Sequence, residues 1–320
     1  FLHKLKRVVQ TRNKIVELDG EPLPAELLLR AKREGFSDFQ IAELTGKSED
    51  EVRDERWQNG VRPIVRQIDT LAAEYPAQTN YLYLSYHGDQ DDLAFDAINT
   101  VLILGSGTYR IGCSVEFDWC CVNAAKTLRQ MGFTTAMLNY NPETVSTDYD
   151  ESDLLFFDEI SLESVMEIYD KISPLGVILS MGGQIPNNLA LKLHHRGVRV
   201  LGTSPENIDR AEDRNKFSAL LDRLNVDQPD WAMIESTEGA LDFAARVGYP
   251  VLIRPSYVLS GAAMAVGTNE RELRKFLAAA ADISTEHPVV ISKFLENAKE
   301  IEMDGVAKDG EIMVYAISEH

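Results

Sequence analysis

The chain has 320 residues, 44% of them hydrophobic, which is enough for two or three domains with buried cores. Its 32 basic and 51 acidic residues give a formal net charge of -19, which disfavours nucleic acid and anionic membranes as general partners. No apolar run approaches the roughly 20 residues that cross a bilayer, and the N-terminus has neither Met nor a signal-peptide core. We therefore expect a segment excised from a larger protein that is cytoplasmic, or mitochondrial if its source is eukaryotic.

Residues 1 to about 75 are predicted to be helical. Two capping boxes stand out, Ser37-Asp38-Phe39-Gln40 and Ser48-Glu49-Asp50-Glu51. In each box the serine oxygen accepts an amide proton from the first turn, while Gln or Glu reaches back to the serine amide. Gly46 can end the first helix. The pattern predicts two short helices joined by a tight turn.

The same spacing is that of a DNA-binding helix-turn-helix. The second helix, however, would carry five carboxylates, at positions 49, 50, 51, 54 and 55, against Arg53 and Arg56. A recognition helix that enters a major groove should be basic, so DNA binding is the weaker alternative. A scaffold role for the helices remains compatible with an enzyme.

Residues 76 to 98 are interpreted as a connection, after which short apolar runs alternate with helical patterns. The runs cover residues 101–104, 136–139, 176–180 and 198–202. Short buried strands that alternate with helices predict a parallel, doubly wound α/β sheet. Cys113, Cys120 and Cys121 lack the spacing of a zinc site, and we interpret them as small buried thiols of a reducing compartment.

Polar or glycine-rich segments follow three of these runs, at residues 105–112, 141–148 and 182–184. Open α/β sheets bind ligands at the carboxyl ends of their strands. The first segment has Arg110 where the dinucleotide fingerprint requires a third glycine, so it does not fit a dehydrogenase. Each segment can be a ligand loop or a tight turn that bonds to itself, and the sequence leaves both interpretations open.

From about residue 211 the pattern changes to mixed helices and strands, which is typical of an α+β nucleotide-binding unit. Arg254 ends an apolar strand predicted at 250–254, an unfavourable place for a cation unless an anion meets it. Ser260 and Gly261 then form a small turn that could close over phosphates. The alternative for Arg254 is a buried ion pair.

A last motif spans residues 293–304. A strand is predicted to end at Phe294-Leu295, and Glu300, Glu302 and Asp304 then alternate as on one face of a following strand. Such carboxylates could hold ribose hydroxyls or magnesium. The alternative, which spacing alone favours, is a solvated strand face.

Taken together, these strings resemble the large subunit of carbamoyl phosphate synthetases. The segment 105–112 (GSGTYRIG) is similar to the opening of the second synthetase half in that family. The strings that follow it in the same order are NPETVSTD at 141–148, GGQIPNN at 182–188, GTSP at 202–205, RAEDR at 210–214 and RPSYVLSG at 254–261. The stretch 27–41 and residues 61–83 resemble the helical linker, or oligomerisation domain, so the resemblance covers essentially the whole chain.

The resemblance implies three parts: a partial helical linker over 1–85, a Rossmann-like pre-ATP-grasp domain over 86–210, and the N-terminal part of an ATP-grasp domain over 211–320. It implies that carbamate is phosphorylated by ATP to carbamoyl phosphate. Arg254 and Arg214 would then meet the ATP phosphates, with Ser260 and Gly261 in the neighbouring loop. Lys293 and Leu295 would border the adenine, and Glu300 would hold the ribose.

The resemblance also implies partners and cofactors. They are ATP with magnesium or manganese, whose ligands are expected beyond residue 320, a glutamine amidotransferase subunit or domain, the first synthetase half, and further copies of the chain through the helical region. The product would serve arginine or pyrimidine biosynthesis. The segment alone would be inactive, and no catalytic residue or metal ligand is assigned within it. The alternative enzyme is another ATP-grasp ligase, similar to a biotin carboxylase.

Overall fold

The computed structural model of the chain describes residues 1–76, 79–95, 99–110, 113–234, 236–256, 264–283 and 289–320. The chain forms two compact units, Phe1–Asp209 and Arg210–His320. Its helices are α1 Leu2–Glu17, α2 Ala25–Arg33, α3 Asp38–Thr45, α4 Glu49–Gln58, α5 Val115–Gln130, α6 Leu162–Ile172, α7 Gln184–Asn187, α8 Ala190–His195, α9 Pro205–Glu212, α10 Arg214–Leu224, α11 Thr237–Val247 and α12 Glu270–Ile283. Its strands are β1 Ile64–Gln67, β2 Tyr81–Ser85, β3 Thr100–Leu104, β4 Thr134–Leu138, β5 Leu154–Phe156, β6 Gly176–Ile178, β7 Val200–Leu201, β8 Trp231–Met233, β9 Val251–Pro255, β10 Ala265–Gly267, β11 Val289–Lys293, β12 Ile301–Lys308 and β13 Glu311–Glu319.

The helical region at the N-terminus, α1 to α4, follows the predicted local signals. Ser37 Oγ accepts from the Gln40 amide at 3.1 Å, and the Gln40 side chain accepts from the Ser37 amide at 3.0 Å. The second capping box forms in the same reciprocal way at the start of α4. Gly46 ends α3 with φ at 70°, a left-handed conformation that glycine adopts without strain. The four helices enclose a core of their own, built from apolar residues that include Ile15, Leu28, Ile41 and Val52.

The sheet of the first unit has seven strands in the order β1-β2-β5-β4-β3-β6-β7. All neighbouring strands from β2 to β7 run parallel, and β1 pairs antiparallel with β2 at the edge. The central strand β3 is buried at every position, as expected for a strand with helices on both faces of its sheet. The doubly wound α/β sheet is therefore confirmed.

The prediction of helix to about residue 75 and of a connection over 76–98 is wrong over two stretches. Residues 64–67 and 81–85 are the strands β1 and β2, and they belong to the α/β sheet. The tyrosines at 81 and 83 alternate with leucines, which is the two-residue period of a strand. Leu82 is fully buried in the sheet core, whereas Tyr83 is 38% exposed.

Between the helical region and the sheet lies a buried ionic cluster, which we define as Lys32, Asp38, Arg56, Glu163 and Glu167. Arg56 is fully buried and donates to Asp38 at 2.7 Å and to Glu167 at 2.6 Å. Lys32 donates to Asp38 at 3.0 Å and pairs with Glu163. Because Glu163 and Glu167 lie one turn apart on α6, the cluster fastens α2, α3 and α4 to that helix.

The cluster also bears on the helix-turn-helix alternative. On α4, Arg53 pairs with Asp170 of α6, and the indole of Trp57 donates to Glu167 at 3.0 Å. The face of α4 that carries its arginines is therefore occupied by α6. A recognition helix needs that face for DNA, so the structure adds a steric reason to the electrostatic one.

In the second unit a four-stranded antiparallel sheet has the order β10-β9-β11-β8. Val251 and Ile253 of β9 pack against α11 and α12 in an apolar core. Successive residues of a strand point to opposite faces, so Leu252 and Arg254 point away from that core. Helix α10 contacts β11 and β8. The remaining strands, β12 and β13, form a hairpin that is exposed at every residue.

Within the described ranges, no helix is both long and apolar enough to cross a bilayer. The three cysteines are free; Cys113 and Cys121 are buried and Cys120 is partly so. Burial raises the pKa of each thiol, which agrees with their interpretation as packing residues rather than nucleophiles.

Candidate functional site

Two arginines meet at the end of β9. Arg254 is the fourth residue of that strand, on the face away from the α11–α12 core, and Arg214 is the first residue of α10. The Nε atom of each guanidinium is buried and has no hydrogen-bond partner in the described part of the chain. Burial, and after it the positive charge of Arg214, lowers the pKa of Arg254. Two guanidinium cations therefore lie near each other in a partly buried position at the end of β9.

The alternative interpretation of Arg254, a buried ion pair, is wrong for the described residues. None of their carboxylates lies within 4.0 Å of the guanidinium of Arg254 or of Arg214. A partly buried cation without a counter-ion is unfavourable, and a second cation beside it adds repulsion. An anionic ligand with several oxygens would remove both penalties, because guanidinium groups bind phosphate and carboxylate oxygens in a bidentate manner.

The start of α10 is fixed by two acceptors. Asp213 caps the helix, and its Oδ1 accepts from the Lys216 amide at 3.0 Å. Ser256, which is 2% exposed, accepts from the Arg214 amide at 2.9 Å through its Oγ. Because Ser256 follows Arg254 by two residues, this bond ties α10 directly to the end of β9.

Of the other predicted site residues, Lys293 has protein partners. It lies at the end of β11 and pairs with Val251, three residues along β9 from Arg254. Its ammonium group donates to the carbonyl oxygens of Gly248 at 3.1 Å and Tyr249 at 2.9 Å. These carbonyls lie just after α11, so backbone oxygens of the connection between α11 and β9 hold the Lys293 ammonium group.

The remaining predicted residues divide into two groups. Leu295 is 58% exposed just after β11, and Glu300 is exposed just before β12. Every residue of β12 is exposed, including Glu302, which bonds to His320 at 2.8 Å; this agrees with the solvated-face alternative. Ser260 and Gly261 lie outside the described residues. The structure thus brings Arg214 and Arg254 together, while contacts of Lys293, Leu295 and Glu300 with a ligand stay a prediction.

The segments after the parallel strands of the first unit bond mainly to one another. Asn139 Oδ1 accepts from the Gly107 amide at 3.0 Å, and its amide group donates to Ser146 Oγ at 3.1 Å. The buried Asp118 accepts from the Ser146 amide at 3.2 Å. These bonds support the self-bonded alternative for residues 105–110 and 141–148.

The glycines of these segments are required by packing. A Cβ on Gly107 would come within 2.4 Å of the Tyr140 hydroxyl, and φ is +73° there. A Cβ on Gly182 would come within 2.4 Å of the carbonyl oxygens of Leu104 and Gly105. The glycines therefore allow the loops to approach each other closely, whether or not a ligand is present.

Sequence reasoning missed Ser256 and Asp213 as parts of this site. Asp213 could have been found, because an aspartate directly before a helical pattern is a capping signal. Ser256 had no such signal, since its partner Arg214 is 42 positions away in the chain. The described residues bring no three His, Cys, Asp or Glu side chains together in a way that could hold a metal ion.

Family models match three consecutive parts of the chain. Residues 1–60 match the carbamoyl-phosphate synthetase large chain oligomerisation domain, residues 97–210 the carbamoyl phosphate synthase preATP-grasp domain, and residues 213–319 the carbamoyl-phosphate synthase L chain ATP binding domain. The two arginines of the site both fall in the last of these matches.

Two relatives align over 100% of this chain. The arginine-specific large chain of carbamoyl phosphate synthase from Cutaneotrichosporon cutaneum is 56% identical, and the chain spans 27% of its length. The multifunctional protein CAD from Squalus acanthias is 56% identical, and the chain spans 14% of its length. The chain is thus similar to a minor part of each of these longer proteins.

Among solved structures, the biotin carboxylase domain of the Hydrogenobacter thermophilus 2-oxoglutarate carboxylase matches with a TM-score of 0.50 and 19% identity. The match covers 64% of this chain and 46% of that domain. At this identity the likeness concerns the fold alone, and it agrees with an α/β chain that includes part of an ATP-grasp domain.

Proposed function

Because the chain belongs to the carbamoyl phosphate synthetase large-chain family, we propose that it forms part of the unit that phosphorylates carbamate with ATP to give carbamoyl phosphate. One observation carries the proposal: Arg214 and Arg254 place two guanidinium groups close together in the ATP-binding-domain match, and the buried Nε of each has no hydrogen-bond partner among the described residues. A nucleotide phosphate group is an anion that satisfies both.

The two arginines have a defined chemical task in this proposal. During phosphoryl transfer, negative charge spreads over the oxygens of the transferred group, and catalysis consists mostly of positioning and charge neutralisation. Arg254 and Arg214 orient the phosphates and neutralise part of this charge. Lys293 and Leu295 would lie beside the adenine, and Glu300 beside the ribose hydroxyls, with Ser260 and Gly261 near the phosphates.

Magnesium, or manganese in its place, would accompany ATP and neutralise phosphate charge. The described residues supply no ligand cluster for either ion, so we assign no metal ligand. We further propose that carbamate is made in the other synthetase half from bicarbonate and glutamine-derived ammonia. A glutamine amidotransferase and further copies of the chain, joined through the helical region, would complete the assembly.

The product would serve arginine or pyrimidine biosynthesis, in the cytoplasm or in mitochondria. The arginine branch and the mitochondrial location both appear in the name of a similar protein, the mitochondrial arginine-specific large chain of Neurospora crassa, which is 55% identical over 100% of this chain and 28% of its own length. The segment alone would be inactive.

The test uses the full-length enzyme and measures ATP formation from carbamoyl phosphate and magnesium-ADP. We expect wild type to form ATP and Arg254→Ala to lose about 100-fold or more in rate, as for the removal of a preorganised group that stabilises charge. The matched control is Arg223→Ala, which removes an exposed arginine from the last turn of the same α10. Equal losses in both variants, or no ATP from wild type, would contradict the proposal.

A further inference from the structure

The guanidinium groups of Arg214 and Arg254 repel each other, so another interaction must keep them close together. Like charges repel, and neither guanidinium of the Arg214–Arg254 pair has a carboxylate partner within the described ranges. Before an anion binds, side-chain attraction therefore cannot set their separation. It must be set by the backbone, that is, by the position of the first residue of α10 relative to the end of β9.

One side chain connects these two backbone positions. Ser256, two residues after Arg254, accepts from the Arg214 amide at 2.9 Å and is 2% exposed. The Arg214 amide belongs to the first turn of α10 and has no acceptor within its own helix. Asp213 already serves the Lys216 amide, so α10 has an ordinary cap without Ser256. The serine bond is additional, and its particular effect is to fix α10 against β9.

We propose that Ser256 is a positioning residue for the phosphate-binding arginine pair. Its hydroxyl oxygen keeps the first residue of α10 beside the end of β9, so that both guanidinium groups face one anion. The inference rests on the proposed function, because it names what orients the arginines of that same site. A shift of about 1 Å in such groups can cost about 100-fold in rate.

A positioning role for Ser256 predicts different effects on the binding of phosphates and on the binding of the nucleoside. If Ser256 acts through the arginines, its loss weakens only the part of nucleotide affinity that comes from phosphates. If it merely supports the fold, its loss weakens binding of every ligand at the site. Adenosine, which has no phosphate, distinguishes the two cases when it is compared with ADP.

The experiment measures ATP formation by the full-length enzyme from carbamoyl phosphate and magnesium-ADP, with adenosine as a competitive inhibitor. For Ser256→Ala we expect the KM for ADP to rise about tenfold, the size of one lost net hydrogen bond, and the inhibition constant of adenosine to stay within about twofold. Ser256→Thr keeps the hydroxyl oxygen and should keep the wild-type KM. If Ser256→Ala does not fold, the KM of Ser256→Thr for ADP still tests the proposal, because a raised KM would contradict it.

The matched control is Ser236→Ala. Ser236 caps α11 by accepting from the Gly239 amide at 3.0 Å, so this variant loses a serine–amide bond at the start of a helix that carries neither Arg214 nor Arg254. Its KM for ADP should equal that of wild type. The proposal is overturned if Ser256→Ala leaves the KM unchanged, or raises the KM and the adenosine constant in parallel. If Ser256→Ala gives either of these results while Arg254→Ala still abolishes activity, only the role of Ser256 is refuted and the proposed function stands. If the wild-type enzyme forms no ATP, the proposed function and the role of Ser256 are both refuted.

Discussion

Replacement of Arg56 by Met tests the role of the buried ionic cluster in stability. The guanidinium is fully buried and donates to Asp38, to Glu167 and to the Val61 carbonyl oxygen, at distances between 2.6 and 3.2 Å. Met has similar apolar volume and removes only the charge and the donors. Asp38, which is 1% exposed, would keep Lys32 as its cation, whereas Glu167 would lose the guanidinium 2.6 Å away and keep Arg53 at 3.8 Å.

The expected cost follows from the charges left behind. Removal of one partner from a buried ion pair costs about 3–5 kcal/mol, because the other partner stays buried without compensation. At a denaturant slope of about 2 kcal/mol per molar urea, this loss lowers the unfolding midpoint by about 1.5–2.5 M. The effect should fall on the unit Phe1–Asp209, which contains the whole cluster.

Urea unfolding of the 320-residue chain, followed by circular dichroism, measures the loss. The control, Arg12→Met, changes an exposed arginine of α1 and should cost less than about 0.5 kcal/mol. Combining Arg56→Met with Glu167→Gln should recover part of the loss, since the carboxylate that lost its close cation is then neutral. A cost for Arg56→Met no larger than that of the control would refute the reasoning.

Three further outcomes are expected. Burial raises the pKa of Asp38, but the hydrogen bond from Arg56 and the charge of Lys32 outweigh burial and lower this pKa below the ordinary aspartate value of 3.8. The ionised carboxylate therefore contributes its full stabilisation above that ordinary value, and the contribution is lost as the pH falls through the lowered pKa. Asp38→Asn should remove this acid-induced loss in a titration of unfolding free energy, and an unchanged profile would contradict the assignment. Cys120 is the least buried of the three thiols, so iodoacetamide should alkylate it first, which mass spectrometry can follow. Alkylation of Cys113 or Cys121 before Cys120 would contradict this prediction. Gly182→Ala should destabilise the fold by about 1–3 kcal/mol, since the new Cβ would lie 2.4 Å from two backbone oxygens. Thermal unfolding measures this loss, and the control is Gly239→Ala, whose new Cβ would have its nearest atom 3.2 Å away.

Local signals in the sequence were reliable where the chemistry lies within a few residues. The capping boxes at Ser37 and Ser48 and the turn at Gly46 formed as predicted, because each depends on contacts three or four positions apart. The strands β1 and β2 were missed although the tyrosines at 81 and 83 alternate with leucines. β2 pairs with β5, which lies more than seventy positions later, and β1 joins the sheet only by pairing with β2.

The candidate site shows the same division. Arg254 was recognisable because a cation at the end of an apolar strand requires an explanation. The sequence could not decide between a phosphate ligand and an ion pair, since that choice depends on which carboxylates the fold brings near. The ammonium of Lys293 is likewise bound to carbonyls of residues 248 and 249, a contact across 45 and 44 positions that no local pattern contains.

By itself, the sequence determined the class of this protein: helices, then a parallel α/β sheet, then part of an ATP-binding domain, in the order of its motifs. Only the tertiary structure decided that Arg214 and Arg254 lie close together with no carboxylate partner in the described ranges. It also decided that Ser256 bonds α10 to the end of β9 and that buried charges fasten the helices to α6. The physical reason is range. Caps, turns and strand periods are set by neighbours in the chain, whereas compensation of a buried charge depends on groups that only folding brings within hydrogen-bond distance.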